Sequence, residues 1–399
     1  MSDQTNQIPP PNYDEAAIPA YTLPELLRSS SGQSINDVAT WEQKRRPELL
    51  ELFSKHVYGY VPDEPFKLLH RLHEYDAEAI NGKAVRKQIQ LTVERDDLYH
   101  SFDLLIYQPK HSSGKIPVFL GLNFEGNHTV YNDENIAIPS GWLRDEGASR
   151  GDQASRWEIE EVIGRGYAVA TIYYGNIAPD DSKQFRNGVL SLFPEHRGND
   201  DWQAIGAWAW GLSRALDYIE LDEDLDAERV IVHGHSRLGK AALWAGALDE
   251  RFAAVISNNS GCGGAALSRR IFGETVTAIN LRFPHWFSRT FHHYNGRENE
   301  LPIDQHMLLA LIAPRPLYVA SASEDLWADP RGEFLSAKYA SQIYDLYGFD
   351  SLSNDEMPEA EKPLLKRVSY HLRTGPHDIT LYDWQRYLDF ADHFVRSQN

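Results

Sequence analysis

From Val230 to the end of the chain, short apolar runs of strand length alternate with stretches of helical spacing. The run Val230–His233 precedes a helical stretch at Leu238–Leu248, and the run Ala253–Ser257 follows. An irregular segment to about residue 305 and a short helix near His306–Ile312 lead to the apolar run Leu317–Ala320. A helix at Gly332–Tyr347, a polar loop over 351–363, a strand at Val368–Leu372 and a helix at Leu381–Val395 complete the chain. A strand that returns through a helix to the same sheet does so in parallel, so this order predicts an α/β fold with a mostly parallel sheet and helices on both faces.

The first half adds a different pattern. Val85–Val93 and Phe102–Gln108 alternate apolar and polar residues, as half-buried antiparallel strands do. Pro117–Leu122 and Tyr167–Tyr173 are continuously apolar, which fits strands covered on both faces. A helix is expected at about Asp201–Glu220, where Ile205, Trp208, Leu212, Ala215, Leu216 and Ile219 share one stripe. Residues 21–60 carry helical spacing, amphipathic around Trp41–Phe53. Residues 1–20 are polar and Pro-rich and read as a tail or surface strap, leaving 21–399 as a single α/β domain without internal repeats.

Composition removes several classes of function. With 39 Lys+Arg against 58 Asp+Glu the formal charge is −19, and no basic stripe offers phosphate contacts, so nucleic acid is not an expected partner. Cys262 is the only cysteine, which excludes an intramolecular disulfide and a thiolate metal cage. No run approaches the ~18 apolar residues of a membrane span. The N-terminus lacks the basic and apolar regions of a signal peptide, so either the protein stays inside or a signal has been removed.

The chemistry concentrates in V-I-V-H-G-H-S-R-L-G-K, residues 230–240. A β-branched run enters a Gly-flanked turn holding Ser236, and a helix begins at once. This is the pattern of a nucleophile elbow, which lifts a hydroxyl above the sheet beside the free N–H groups of a helix N-terminus. The second glycine, Gly239, sits one residue later than in G-x-S-x-G. Gly234–Lys240 also satisfies G-x-x-x-x-G-K, but Ala241 stands where a phosphate loop needs Ser or Thr. A purely structural strand–turn–helix is the third reading.

A serine nucleophile needs an acid and a histidine later in the chain. Asp325 lies in S-E-D-L-W-A-D-P just beyond the strand Leu317–Ala320, and His377 lies in T-G-P-H-D-I-T between a strand and the last helix. Both positions fall at strand ends, where ligand-facing loops of such sheets lie. His285, His292 and His293 invite a metal reading, but there is no H-E-x-x-H and no cysteine partner, so no metal is expected.

The segments G-H-S-R-L-G-K, N-N-S-G-C-G-G, F-G-E, F-P-H-W-F, S-E-D-L-W-A-D-P and G-P-H-D-I-T-L-Y-D-W resemble the glucuronoyl esterases, carbohydrate esterase family 15, in their bacterial form. The likeness spans about residues 115–395. It implies an α/β-hydrolase three-layer sandwich and a serine esterase that needs no cofactor. The implied substrate is the ester between glucuronate or 4-O-methyl-glucuronate of xylan and lignin alcohols. By the same resemblance Ser236 is the nucleophile, His377 the base, and Arg237 an oxyanion donor. Lys240 and Glu274 would bind sugar hydroxyls, and Trp327 would line the sugar site. Fungal members carry the triad acid as a Glu where this chain has Asn259, so the acid is assigned to Asp325, as in some bacterial members, with adjacent Glu324 as the stand-in. The resemblance also implies a secreted or periplasmic protein if a signal was removed, and a monomer is expected. An acetylxylan esterase of the same fold is the nearest alternative; a nucleotide hydrolase and a non-catalytic carbohydrate binder are more distant ones.

Overall fold

Nine strands form one mixed sheet in the order β1-β2-β3-β5-β4-β6-β7-β8-β9. They are β1 Lys67–Glu78, β2 Ala84–Arg95, β3 Leu98–Pro109, β4 Ile116–Asn123, β5 Ala168–Tyr173, β6 Leu225–His235, β7 Ala254–Asn258, β8 Leu317–Ala322 and β9 Val368–Arg373. The computed structural model describes residues 8–194, 198–353 and 356–396, so residues 1–7 of the expected tail and 354–355 of the expected loop lie outside it. Pairings from β1 to β3, and of β3 with β5, are antiparallel, and all the rest are parallel.

Period-2 side-chain placement explains the layers. Val230 and Val232 of β6 join the core beneath helices Ala204–Ile219, Arg237–Leu248 and Pro330–Leu346. Ile231 between them joins the opposite core, under Ile159–Gly164 and Leu381–Ala391. Both faces of the central strands are therefore apolar, as the unbroken hydrophobic runs require.

Three elements depart from the sequence reading. The first is β1, which carried no strand signal: it is an edge strand with Leu69, Leu72 and Tyr75 largely exposed and charged residues interspersed. Backbone pairing with β2, not a buried face, holds it, and its charges blunt the open edge. The second is residues 21–36, where Pro24 and the run Ser29–Gly32 replace the expected helix by a turn closed through the bridge Arg28↔Ser34. The helix runs instead over 38–58, with wider π-type turns at Trp41–Arg45 and Ser54–Tyr58, and buries Trp41, Leu49, Phe53 and Val57. The third is β2, whose charged side chains are covered rather than solvated, on one face at Arg86 and on the other at Lys87. Arg86, 1% exposed, pairs with Glu74 at 2.8 Å and with Asp133, and Lys87 holds Asp222 at 2.8 Å.

The N-terminal segment lies across the loop at 270–273. Asn12 O accepts from Gly273 N at 2.8 Å, Glu15 pairs with Arg270 at 2.6 Å, and the Tyr13 ring meets Phe272 edge-on.

The junction of β6 with the helix Arg237–Leu248 is tight. A Cβ on Gly234 would stand 2.1 Å from the Leu238 carbonyl oxygen, and backbone cannot yield as a flexible side chain would. Gly234→Ala is therefore expected to lower stability by at least ~3 kcal/mol. A urea midpoint within experimental error of wild type would show that the junction can relax.

Candidate active site

The parallel strands β6, β8 and β9 end on one side of the molecule, and the loops beyond them converge on a cleft of about 310 Å³. All seven residues selected from the sequence line it: Ser236, Arg237, Lys240, Glu274, Asp325, Trp327 and His377. Ser236, Asp325 and His377, between 52 and 141 positions apart in the chain, thus line one cleft.

Ser236 sits at φ 57°, ψ −129°, a conformation that side chains other than glycine avoid. It is held there by its N–H, which donates to Asn258 O at 2.9 Å, and by its carbonyl, which accepts from Gly239 N at 2.9 Å. The turn points the hydroxyl into the cleft at the start of the helix, whose first N–H groups have no acceptor within it.

His377 Nδ1 donates to Asp325 Oδ2 at 2.5 Å. A carboxylate can only accept, so the other imidazole nitrogen keeps its lone pair and can take a proton. Asp325 is 5% exposed, and burial alone would raise its pKa. The hydrogen bonds from His377 and from Asn259 Nδ2, the latter at 2.8 Å, outweigh this and hold it below the ordinary carboxylate range. Glu324 is exposed and enters the turn only through its backbone N–H, which donates to Gly375 O. Beneath His377 lies His235, its ring centroid 4.5 Å away and its Nδ1 2.6 Å from Asn258 Oδ1. Burial, reinforced by His377, pushes His235 well below its ordinary pKa, so it stays neutral and places no competing cation under the base.

Arg237 projects from the first helical residue onto the ring faces of Trp286 at 4.6 Å and Phe283 at 5.2 Å, and it pairs with Asp180. Asp180 also accepts from His285 Nε2 at 2.8 Å and Trp286 Nε1 at 2.7 Å. Burial would raise the Asp180 pKa, but these donors and the Arg237 charge drive it well below its ordinary value. His285 is thereby committed to Asp180. Nothing in the sequence tied Asp180 to the site, since its relation to Arg237 exists only across 57 residues of chain.

The far wall carries a second charge cluster. Lys240, 4% exposed, donates to Ser260 O at 2.5 Å and stands 4.0 Å from Glu274 Oε2. Burial lowers the Lys240 pKa against the pull of Glu274, and burial raises Glu274 against Lys240 and Arg282. A lysine held by a carbonyl beside a carboxylate is not a phosphate-loop lysine, which disposes of that reading. Trp327 lines the cleft, and the Arg282 guanidinium lies over its ring at 4.4 Å. Arg282 and Trp286 went unremarked as contributors because both lie in the stretch to residue 305 that reads as irregular, although Arg282 in fact ends the helix Val276–Arg282; Asn259 was noted only as the position lacking an acid, not as a donor to Asp325.

A nine-stranded mixed sheet flanked by helices, with a serine on the elbow after β6, an acid after β8 and a histidine after β9, defines an α/β-hydrolase fold. A family model described as glucuronyl esterase, fungi, matches residues 154–348. The carbohydrate esterase MZ0003 of an unknown prokaryotic organism is 48% identical over 96% of this chain and 92% of its own. A solved glucuronoyl esterase from Solibacter usitatus superposes with a TM-score of 0.90 at 47% identity, over 94% of this chain and 99% of that one. A promiscuous esterase of carbohydrate esterase family 15, from a marine bacterial metagenome, gives 0.91 at 47% identity, over 96% and 100%. The chain belongs to carbohydrate esterase family 15, the glucuronoyl esterases, and so to the carboxylic ester hydrolases.

Two expectations follow from this geometry. Asp325→Asn removes the only carboxylate seen on His377 among the described residues and should lower kcat at least ~10³-fold, whereas Asn259→Ala, which removes one donor to that carboxylate, should cost about tenfold or less. Steady-state kinetics on one ester decide; the reverse ranking would refute the assignment. The second concerns Glu333, fully buried, whose carboxylate accepts from Gly261 N at 2.9 Å and Ser321 Oγ at 2.6 Å. Burial pushes its pKa up to about 8, so its contribution to stability is full below the unfolded value near 4.5 and is lost as pH rises through 8. Relative to Glu333→Gln, wild type should therefore lose stability between pH 4.5 and 8 and level off above. Parallel urea titration curves across that range would exclude the effect.

Proposed function

We propose that the protein hydrolyses esters of glucuronate or 4-O-methyl-glucuronate, with Ser236 as nucleophile, His377 as general base, Asp325 as its orienting acid and Arg237 at the oxyanion. The observation that carries the reading is the sharing of one cleft by Ser236 and the His377–Asp325 pair, with Arg237 and Lys240 on its wall. His377 takes the Ser236 proton as Oγ attacks the ester carbonyl. The oxygen that gains charge is stabilised by the Arg237 side chain and the helix N-terminal N–H groups. His377 then protonates the departing alcohol, and a water activated by the same imidazole resolves the acyl-enzyme.

The arrangement also accounts for the acyl group. Arg237 is immobilised by Asp180 and two aromatic faces, so its positive charge is in place before the oxyanion forms and needs no reorganisation. Lys240 and Glu274 present a donor and an acceptor to neighbouring hydroxyls, as a pyranose requires and an acetyl group does not. Relatives aligned with this chain include a 4-O-methyl-glucuronoyl methylesterase of Neurospora crassa, 28% identical over 84% of this chain and 75% of its own. In this reading the uronate belongs to xylan and the alcohol to lignin, and the protein acts as a monomer.

Methyl glucuronate should be hydrolysed, methyl galacturonate more slowly and acetylated sugar slowest, all abolished by Ser236→Ala. Arg237→Ala should reduce kcat ~10²–10³-fold, the scale of losing one oxyanion donor. Acetylated sugar as the best substrate would point to the acetylxylan esterase alternative, and near-normal turnover in Arg237→Ala would remove Arg237 from the oxyanion site.

A further inference from the structure

A second and larger cavity, about 760 Å³, opens on the other side of the segment 174–180 from the catalytic cleft. The two are adjacent through a single peptide unit: Pro179 lines the cavity, while Asp180 holds Arg237 in the cleft. The wall is built rather than incidental. His100 Nε2 bonds Asn176 O at 2.6 Å, and Asn176 Nδ2 donates to Ser140 O at 3.1 Å, which ties this segment to β3 and to the loop bearing Trp142. Trp142 is braced from behind: it lies parallel to Tyr173, and a Cβ on Gly175 would meet its ring at 2.7 Å.

The lining chemistry is distinctive. Gln90, Gln184 and Asn187 present side-chain amides that make no hydrogen bond among the described residues. Asp103 and Glu146 present carboxylates that likewise accept none, with His73 Nε2 3.9 Å from Asp103. Among the described residues no lysine or arginine lines the cavity, whereas Arg237, Lys240 and Arg282 all line the cleft. An anion would be repelled here. An apolar aromatic guest would strip water from open amides and carboxylates without replacing their hydrogen bonds. Hydroxyl-rich rings satisfy both requirements, because their equatorial hydroxyls bond planar amides and carboxylates while their C–H faces lie on a braced indole.

The geometry points to this cavity as a binding subsite for a neutral pyranose oligosaccharide, with Trp142 as its platform and Gln90, Asp103, Gln184 and Asn187 as its hydrogen-bonding rim. The inference deepens the glucuronate-ester reading and rests on it for its purpose: the uronoyl ester enters the cationic cleft while an uncharged stretch of the same polysaccharide is held next door. The two linings suit different parts of one chain: the cleft carries the cations that meet the reacting carbonyl and the uronate released from it, whereas the cavity offers amides, carboxylates and an indole to uncharged rings.

The test is isothermal titration of the full chain with a neutral β-1,4-linked xylo-oligosaccharide in the absence of any ester, so that its outcome is independent of whether esters are turned over. Saturable binding is expected, weakened at least ~10-fold in Trp142→Ala, the scale of losing one packed aromatic contact. Gln184→Ala combined with Asn187→Ala should weaken it ~3–10-fold. Both amides lie on exposed side chains, so this second variant holds if Trp142→Ala is found unfolded by thermal melting. Three results would overturn the proposal: no binding to wild type, binding that survives both variants but is lost in Trp327→Ala, or displacement of the oligosaccharide from the Trp142 site by benzyl alcohol as the tighter ligand.

Discussion

Asp325 is the constraint on which the cleft turns. It is a buried carboxylate whose Oδ2 accepts from two donors, the His377 imidazole and the Asn259 amide. Burial works against its charge, and these hydrogen bonds together with the neighbouring imidazoles hold its pKa below the ordinary carboxylate range. The carboxylate in turn fixes the His377 tautomer by accepting from Nδ1, which leaves the other ring nitrogen with its lone pair. Asn259 thus acts on the cleft through Asp325, to which its amide donates. Its positive φ of 46° is what turns the amide back towards β8.

Charge is organised differently on the two walls. Near the serine, Arg237 is clamped by Asp180, which also accepts from His285, Trp286 and the Tyr174 hydroxyl. A guanidinium held by a carboxylate and two ring faces keeps its positive charge at one place on the cleft wall. On the opposite wall, Lys240 and Glu274 are each buried and each shifted towards neutrality by burial, opposed chiefly by their mutual attraction and, for Glu274, by Arg282 and Arg237. Beside this pair, the Arg282 guanidinium lies over the Trp327 ring, so the wall joins three charged groups to an aromatic face.

The strain at Ser236 links this chemistry to the fold. A left-handed backbone at a serine is tolerated because Gly234 lets the helix start press against the end of β6, and because Asn258 and Gly239 fasten the turn from both sides. The parallel strands then carry the acid and the base to the same rim. Helices packed on both faces leave that rim as the place where loops are free to build a site.

Much of this was legible in the chain. Alternating strand and helix patterns, the Gly-flanked serine and the acid and histidine beyond later strands are local signals, each written within about ten residues. They suffice for the α/β architecture and for the order in which its reactive side chains appear. What they could not carry is any relation between distant segments. Asp180 meets Arg237 across 57 residues and Asn259 meets Asp325 across 66, and neither contact leaves a periodic or turn signal in the sequence. The edge strand β1 was illegible for a related reason: it is held by backbone pairing, which is indifferent to side chains, and only its neighbour β2 makes it a strand. Local propensity and patterning reside in consecutive residues, whereas the partner of a buried charge is chosen by packing, and packing exists only once the chain has closed upon itself.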